Sequence, residues 1–242
     1  MNNPICKPKV KKRPCTKMHS GFSLVEMAVV MVILSSIIGG GLVTLSGARE
    51  KQQRQKTNIA LEKIRDALIG YASTNGRLPC PDVANLVTPT LFDGLGDVIG
   101  TACQQNYGVL PWQDLDLEPF DSWGNYFSYH IAAQYNAPPL ISCRTTIGNL
   151  QVRQNSNTGL LLADNVAAIV ISHGANGAGR IDMTPTLLAP FFTRTSVSDP
   201  NETENTNNDL LFIQGAGDDQ LMYLSSVIVQ VKLLESNQCS LP

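Results

Sequence analysis

The sequence predicts an α+β fold in which one long N-terminal helix carries a head built on an antiparallel sheet. An apolar run at residues 22–45 contains a single charged residue, and the polar stretch after it continues without a breaker as far as Asn75. The remaining chain has short apolar runs between turn signals, which is typical of strands and loops. A composition of 43% hydrophobic and 16% charged residues argues against a disordered chain.

The apolar run is long enough to cross a bilayer, because 24 residues form about 36 Å of helix at 1.5 Å per residue. A secretory signal peptide has a shorter apolar run and an A-x-A-like cleavage site, and neither is present. Basic residues at 7–17 favour an N-terminus in the cytoplasm, although those at 49–56 weaken the asymmetry. We therefore predict a membrane span at residues 22–46.

The polar stretch at residues 47–75 continues the helix in amphipathic form, since Leu61, Ile64, Leu68 and Tyr71 recur at helical spacing. Asn75-Gly76, followed by Pro79, provides the stop signal. The head then occupies residues 76–242. Its stretch at 201–208, NETENTNN, is predicted to be a polar surface loop, and residues 221–234 suit a helix and a strand equally well.

The formal net charge of −2 conceals an uneven distribution. Residues 1–21 hold six basic and no acidic residues, so their removal leaves 12 basic against 20 acidic residues, a net charge of about −8. An acidic head of this kind disfavours nucleic acid as a partner.

The six cysteines are unevenly spread, with Cys6 and Cys15 before the apolar run and four after it. The four, Cys80, Cys103, Cys143 and Cys239, have no metal-finger spacing, which favours two disulfides in an oxidising compartment over zinc. Three pairings remain open. Proximity in sequence favours Cys80 with Cys103 and Cys143 with Cys239.

The junction Gly21-Phe22-Ser23-Leu24-Val25-Glu26 closely resembles the processing motif of type IV prepilins and type II secretion pseudopilins. The resemblance implies cleavage after Gly21 by a membrane-embedded prepilin peptidase, followed by methylation of the new N-terminal Phe22. Unlike removal of a signal peptide, this cut leaves the hydrophobic helix attached to the mature chain.

Glu26 is the one ionisable residue inside the apolar run, where a charge costs about 2.5 kcal/mol or more near the bilayer centre. The resemblance supplies a partner, because the equivalent glutamate is thought to meet the N-terminal amine of a neighbouring subunit during filament assembly. The alternative is a side chain that reaches from the helix end to the lipid headgroups.

The head also resembles this family, through Leu110-Pro111-Trp112 and the DSWGN sequence at residues 121–125, which is similar to a motif of major pseudopilins. Both tryptophans are interpreted as core anchors and Gly124 as a turn residue.

Some pseudopilins that resemble this chain bind calcium in a C-terminal loop. Oxygen ligands suited to calcium are present here without EF-hand spacing, and a solvated acidic surface is the alternative. The candidate ligands are Glu202, Glu204, Asp209, Asp218 and Asp219.

An enzymatic interpretation finds little support. The sequence SHGANGAG at residues 172–179 matches neither the dinucleotide nor the P-loop pattern, and no GxSxG elbow occurs. His173 is therefore interpreted as a structural hydrogen-bonding group in a tight loop after a strand.

The sequence thus predicts a structural subunit of a pilus or secretion pseudopilus, of a minor kind because its head is large. It would be anchored in the bacterial inner membrane with its head in the periplasm, and it would be assembled by a platform protein and an ATPase together with other subunits. The rival interpretation is an envelope enzyme or binding protein with an ordinary signal anchor.

Overall fold

The computed structural model describes residues 23–84, 92–136, 146–181 and 194–238, with the backbone alone at 37–46. Gly21, Phe22, Cys143 and Cys239 lie outside these ranges. The chain divides into two compact units, Met1–Ala48 and Arg49–Pro242.

The first element is the helix α1, Leu24–Asn75, which is 52 residues long. It ends because Gly76 adopts a φ of +69°, and the Gly76 amide donates to Ala72 O at 2.8 Å. Within the second unit the helix buries Leu61, Ile64 and Leu68, which confirms the predicted amphipathic continuation. Among the described residues, no helix is both long and apolar enough to cross a membrane.

The head contains a two-stranded sheet and a six-stranded sheet. The small sheet pairs β1, Val98–Ile99, with β2, Ala102–Cys103. The large sheet contains β3, Tyr107–Val109; β4, Ser128–Ile131; β5, Leu150–Gln154; β6, Leu161–Ser172; β7, Leu211–Gln214; and β8, Gln220–Ser225. A single turn of 3₁₀ helix, Ala133–Tyr135, follows β4.

The large sheet runs in the order β3-β4-β6-β5-β7, with β8 also paired to β6. Its described pairs are antiparallel except β5 with β7, which is parallel, so the sheet is mixed where an antiparallel one was predicted. The long strand β6 pairs with β4, β5 and β8, and its residues 166–171 are fully buried. The core of the head therefore forms around β6.

Residues 221–234, whose sequence suits both helix and strand, form both. β8 pairs antiparallel with β6 and passes directly into helix α3, Ser226–Glu235. Ser225 is the N-cap, and its Oγ accepts a hydrogen bond from Val227 N at 3.3 Å. Leu224 on the strand and Val229 and Leu233 on the helix are all buried. The apolar pattern of this stretch therefore serves a strand in its first part and a helix in its second.

The prediction of a polar surface loop at 201–208 is wrong in part. The short helix α2, Pro200–Glu204, begins there, with the Asp199 side chain capping Asn201 N and Glu202 N. Glu202 and Asn205 are buried rather than exposed. Helix α2 forms because an aspartate at the N-cap, followed by proline at the first helical position, strongly favours the start of a helix.

A disulfide joins Cys80 to Cys103, as proximity in sequence favoured. Next to it, Tyr129 of β4 is completely buried and donates from Oη to Pro79 O at 3.2 Å. The chain leaving α1 is thus tied to the small sheet by the disulfide and to the large sheet by the Tyr129 hydrogen bond.

Candidate functional site

Glu26 lies in the first turn of α1, where it is exposed. A carboxylate at this end of a helix is stabilised by the unpaired amide groups and the helix dipole. Its apolar neighbours Leu24 and Val25 are also exposed. The structure thus presents a carboxylate among apolar side chains at the start of the helix, while the predicted cleavage point at Gly21 and Phe22 lies outside the described residues.

Three of the five candidate calcium ligands come together in the head. One oxygen each from Glu202, Asp218 and Asp219 lies within 4.8 Å of the other two. Glu204 and Asp209 are not in this group. Their side chains instead accept hydrogen bonds from Asn207 Nδ2, at 3.4 Å and 3.0 Å.

The geometry of this acidic group fits a cation. Asp218 Oδ1 and Asp219 Oδ1 are buried and accept no hydrogen bond, although His173 Nδ1 lies 3.4 Å from the latter. Buried carboxylate oxygens without partners carry a large desolvation cost, which a bound cation would offset. Hard oxygen donors are the ligands that calcium prefers.

Neighbouring groups hold these carboxylates in place. Asn176 donates from Nδ2 to Glu202 Oε1 at 3.0 Å and from its backbone N to Asp218 Oδ2 at 2.9 Å. Asn205, itself buried, donates from Nδ2 to Asp219 Oδ2 at 2.8 Å. Gly217 has a φ of +50°, and a Cβ there would lie 1.8 Å from Glu202 Oε1. The close packing around Glu202 therefore requires glycine at position 217.

A buried hydrogen bond and a close polar contact, both made by His173, adjoin the acidic group. His173 Nε2 lies 2.8 Å from Ser128 Oγ, and His173 Nδ1 lies 3.4 Å from Asp219 Oδ1. This Ser-His-Asp order occurs in hydrolases, but Ser128 and His173 are completely buried. Neither of these two side chains is accessible from the surface, and the hydrogen bond to Ser128 agrees with the interpretation of His173 as a structural hydrogen-bonding group.

His130, on β4, is a second buried histidine. Burial lowers the pKa of His130 well below its usual range, and the nearby charges of Arg194 and His173 lower it further. His130 packs between Tyr107 and Phe212. Burial disfavours the charged imidazolium, so His130 acts in packing between these two rings.

The DSWGN motif forms a turn that binds the loop containing His173. Asp121 Oδ1 accepts from the backbone N of Trp123 and of Asn125, both at 2.9 Å, and Asp121 Oδ2 accepts from Ser172 Oγ at 2.6 Å. Gly124 has a φ of +83°, which confirms its turn role. The two tryptophans are only partly buried. The DSWGN turn and the SHGANGAG segment, which are separate in the sequence, are therefore joined in the structure.

The hydrogen bonds of Ser128 with His173 and of Asp121 with Ser172 were not expected from the sequence. Ser128 is the first residue of β4, where a serine carries no distinctive pattern. Asp121 stood in a recognised motif, but its partner Ser172 is 51 residues away. Only the pairing of β4 with β6 brings these side chains together.

Comparisons with known proteins agree with the N-terminal pattern. The family model of the prokaryotic N-terminal methylation motif matches residues 16–42. The chain is 27% identical over 126 residues to the type II secretion system core protein G of Aeromonas hydrophila, an alignment that covers 51% of this chain and 81% of that protein. No solved structure matches the chain significantly. The resemblance seen at residues 21–26 is thereby confirmed: the chain carries a prepilin-type N-terminal methylation motif and is a pilin-like structural subunit.

Proposed function

We propose that this chain is an inner-membrane prepilin that is cut between Gly21 and Phe22 by prepilin peptidase, methylated on Phe22 and assembled into a pseudopilus. The N-terminal methylation motif at residues 16–42 is the observation that carries this proposal. The basic leader stays in the cytoplasm, residues 22–46 anchor the chain, and the head lies in the periplasm. A platform protein and an ATPase drive assembly with other subunits.

Glu26 becomes the fifth residue of the mature chain, close to the amine that cleavage releases at Phe22. A neighbouring subunit's N-terminal amine is the opposite charge that a carboxylate in an apolar environment requires. Replacement of Glu26 by Ala should therefore leave cleavage intact and lower incorporation into filaments. Unchanged incorporation would remove Glu26 from this role.

Intact mass is the direct test of processing. Full-length chain is expressed with active prepilin peptidase and, as the control, with a catalytically inactive peptidase. We expect the mature protein to lose residues 1–21 and to gain one methyl group on Phe22. An identical mass in both strains would overturn the proposal and favour a signal-anchored envelope protein.

The similarity to a type II secretion core protein favours a secretion pseudopilus over a pilus. The large head favours a minor subunit over the major one. The copy number in filaments tests whether the chain is a minor subunit. Quantitative mass spectrometry of sheared filaments should find far fewer copies of this chain than of the main subunit. A comparable copy number would assign it as a major subunit.

We also propose that Glu202, Asp218 and Asp219 bind calcium. Their converging oxygens and the two unpartnered buried oxygens of the aspartates support it. Calcium at 100 times its Kd would stabilise the fold by about 2.7 kcal/mol. The melting temperature should therefore rise with calcium and fall with a chelator.

Two substitutions make this test specific. Asp218→Asn should abolish the calcium-dependent rise in melting temperature. The control Asp209→Asn should preserve it, because Asp209 is exposed and lies outside the group. A chelator-insensitive melting temperature of the unaltered protein would contradict the proposal.

A further inference from the structure

The head carries an open groove of about 520 Å³ between α1 and the loop after β3. Its apolar lining includes Ile59 of α1 and Phe120 of the loop, which are 48% and 42% exposed. Lys56 and Lys63 line the helix side, and Glu118 lines the loop side. An apolar floor between opposite charges is suited to one face of an amphipathic helix. We call this surface the groove.

Helix α3 presents a second unpartnered apolar surface. Val227, Ile228 and Val231 are between 42% and 62% exposed, although the opposite face of the same helix is buried in the core. Beside them, Lys232 Nζ and Glu235 Oε2 form an exposed ion pair at 2.7 Å. Clustered exposed apolar side chains of this kind mark interaction surfaces. We call this surface the α3 stripe.

We propose that the α3 stripe of one copy seats in the groove of a second copy. The inference rests on the proposed function, since it names the surfaces through which assembled heads meet. The charges are complementary, because Lys232 can approach Glu118 while Glu235 approaches Lys63. The lengths agree as well: the stripe from Val227 to Glu235 spans about 12 Å and the groove from Lys56 to Lys63 about 10.5 Å, at 1.5 Å per residue.

The two surfaces lie at different levels along α1. Gln238 Nε2, just after α3, donates to Thr74 O at 3.2 Å, so the stripe belongs near the C-terminal end of α1. The groove uses residues 56–63, which lie at least about 16 Å further toward the N-terminal end of α1 at the helical rise. A contact between different surfaces of two copies is heterologous, and repeating it extends an open, head-to-tail assembly.

Site-specific photo-crosslinking tests the contact in full-length chain in membranes that contain the assembly machinery. A benzophenone side chain at Val231 should produce crosslinked dimers whose joined peptide contains residues 56–63 or 116–120. The same probe at Ile99, which is 67% exposed but outside both surfaces, is the control and should give no such product. Adducts from Val231 to any other segment would overturn the inference.

A charge exchange tests the orientation. Lys232→Glu should lower the yield of the Val231 crosslink by roughly tenfold, because it places like charges together. Adding Glu118→Lys should restore most of the yield, which a merely local effect on α3 would not do. Failure of the second substitution to restore the crosslink would contradict the proposed pairing.

These outcomes separate the inference from the proposed function. Filaments that contain the chain but yield no groove product overturn the inference alone. A groove product without processing or filaments overturns the proposed function alone, and the absence of both overturns both.

Discussion

Ser128 and His173, which are 45 residues apart in the sequence, are joined by a hydrogen bond of 2.8 Å between Ser128 Oγ and His173 Nε2 in the core of the head. Both residues are completely buried. Because water cannot replace a lost partner there, this bond should be important for the stability of the sheet and of the adjoining acidic group.

Ser128→Ala should destabilise the fold by about 1–3 kcal/mol, the usual cost of leaving a buried polar group unpaired. Urea denaturation measures the change in the free energy of unfolding. The control Thr158→Ala removes an exposed hydroxyl and should stay within about 0.5 kcal/mol of the unaltered protein. Equal effects of the two substitutions would show that the Ser128 bond contributes little.

Asp82 should make stability depend on pH. It is buried, and its Oδ2 accepts from Gly94 N at 2.6 Å. Burial raises its pKa from 3.8 to about 8, and the charges of Asp97, Asp93 and Asp114 add to the rise. The unfolded carboxyl ionises near pH 3.8 while the folded one stays neutral, so the protein loses stability as pH rises from about 4 to 8.

Asp82→Asn removes this titration and preserves an oxygen acceptor for Gly94 N. The stability advantage of the variant should therefore be small at pH 4, grow through neutral pH to a few kcal/mol, at about 1.4 kcal/mol per pKa unit, and level off above pH 8. Urea denaturation across pH 4–9 measures it, with the exposed Asp66→Asn as control. A pH-independent difference would refute the raised pKa.

The disulfide between Cys80 and Cys103 encloses a loop with a sequence separation of 23 residues. Replacing both cysteines by Ser should cost about 3 kcal/mol, because the unfolded chain regains the conformational freedom that the crosslink removes. The reduced unaltered protein is the matched comparison and should unfold at a similar urea concentration.

Peptide mapping under non-reducing conditions tests the predicted Cys143–Cys239 bond, and a free thiol at either position would exclude it.

Gly217→Ala should both destabilise the head and abolish the calcium response, because the new Cβ would lie 1.8 Å from Glu202 Oε1. Gly100→Ala is the matched control, since Gly100 also has a positive φ but no atom within 4 Å of the added Cβ. The control should cost about 1 kcal/mol from backbone strain alone. A calcium-dependent melting temperature that survives in Gly217→Ala would argue against Glu202 as a ligand.

Much of the helix could be predicted, because its information is local. The 3.6-residue spacing of Leu61, Ile64 and Leu68 marks the buried face, and Asn75-Gly76 marks the end. The strands were harder, since the parallel pairing of β5 with β7 joins segments about 60 residues apart. Residues 221–234 were ambiguous for a physical reason: pairing with β6 selects strand up to Ser225, where the Ser225 cap starts a helix.

The sequence by itself determined the class of this protein, because the N-terminal methylation motif is a contiguous pattern at residues 16–42. Its acidic head was also plain from composition. Only the tertiary structure decided which acids come together: Asp218 and Asp219 lie close to Glu202 of α2, while Glu204 and Asp209 are not in this group. The proposed cation site and the proposed interaction surface depend on distances between remote side chains, and those distances exist only once the chain has folded.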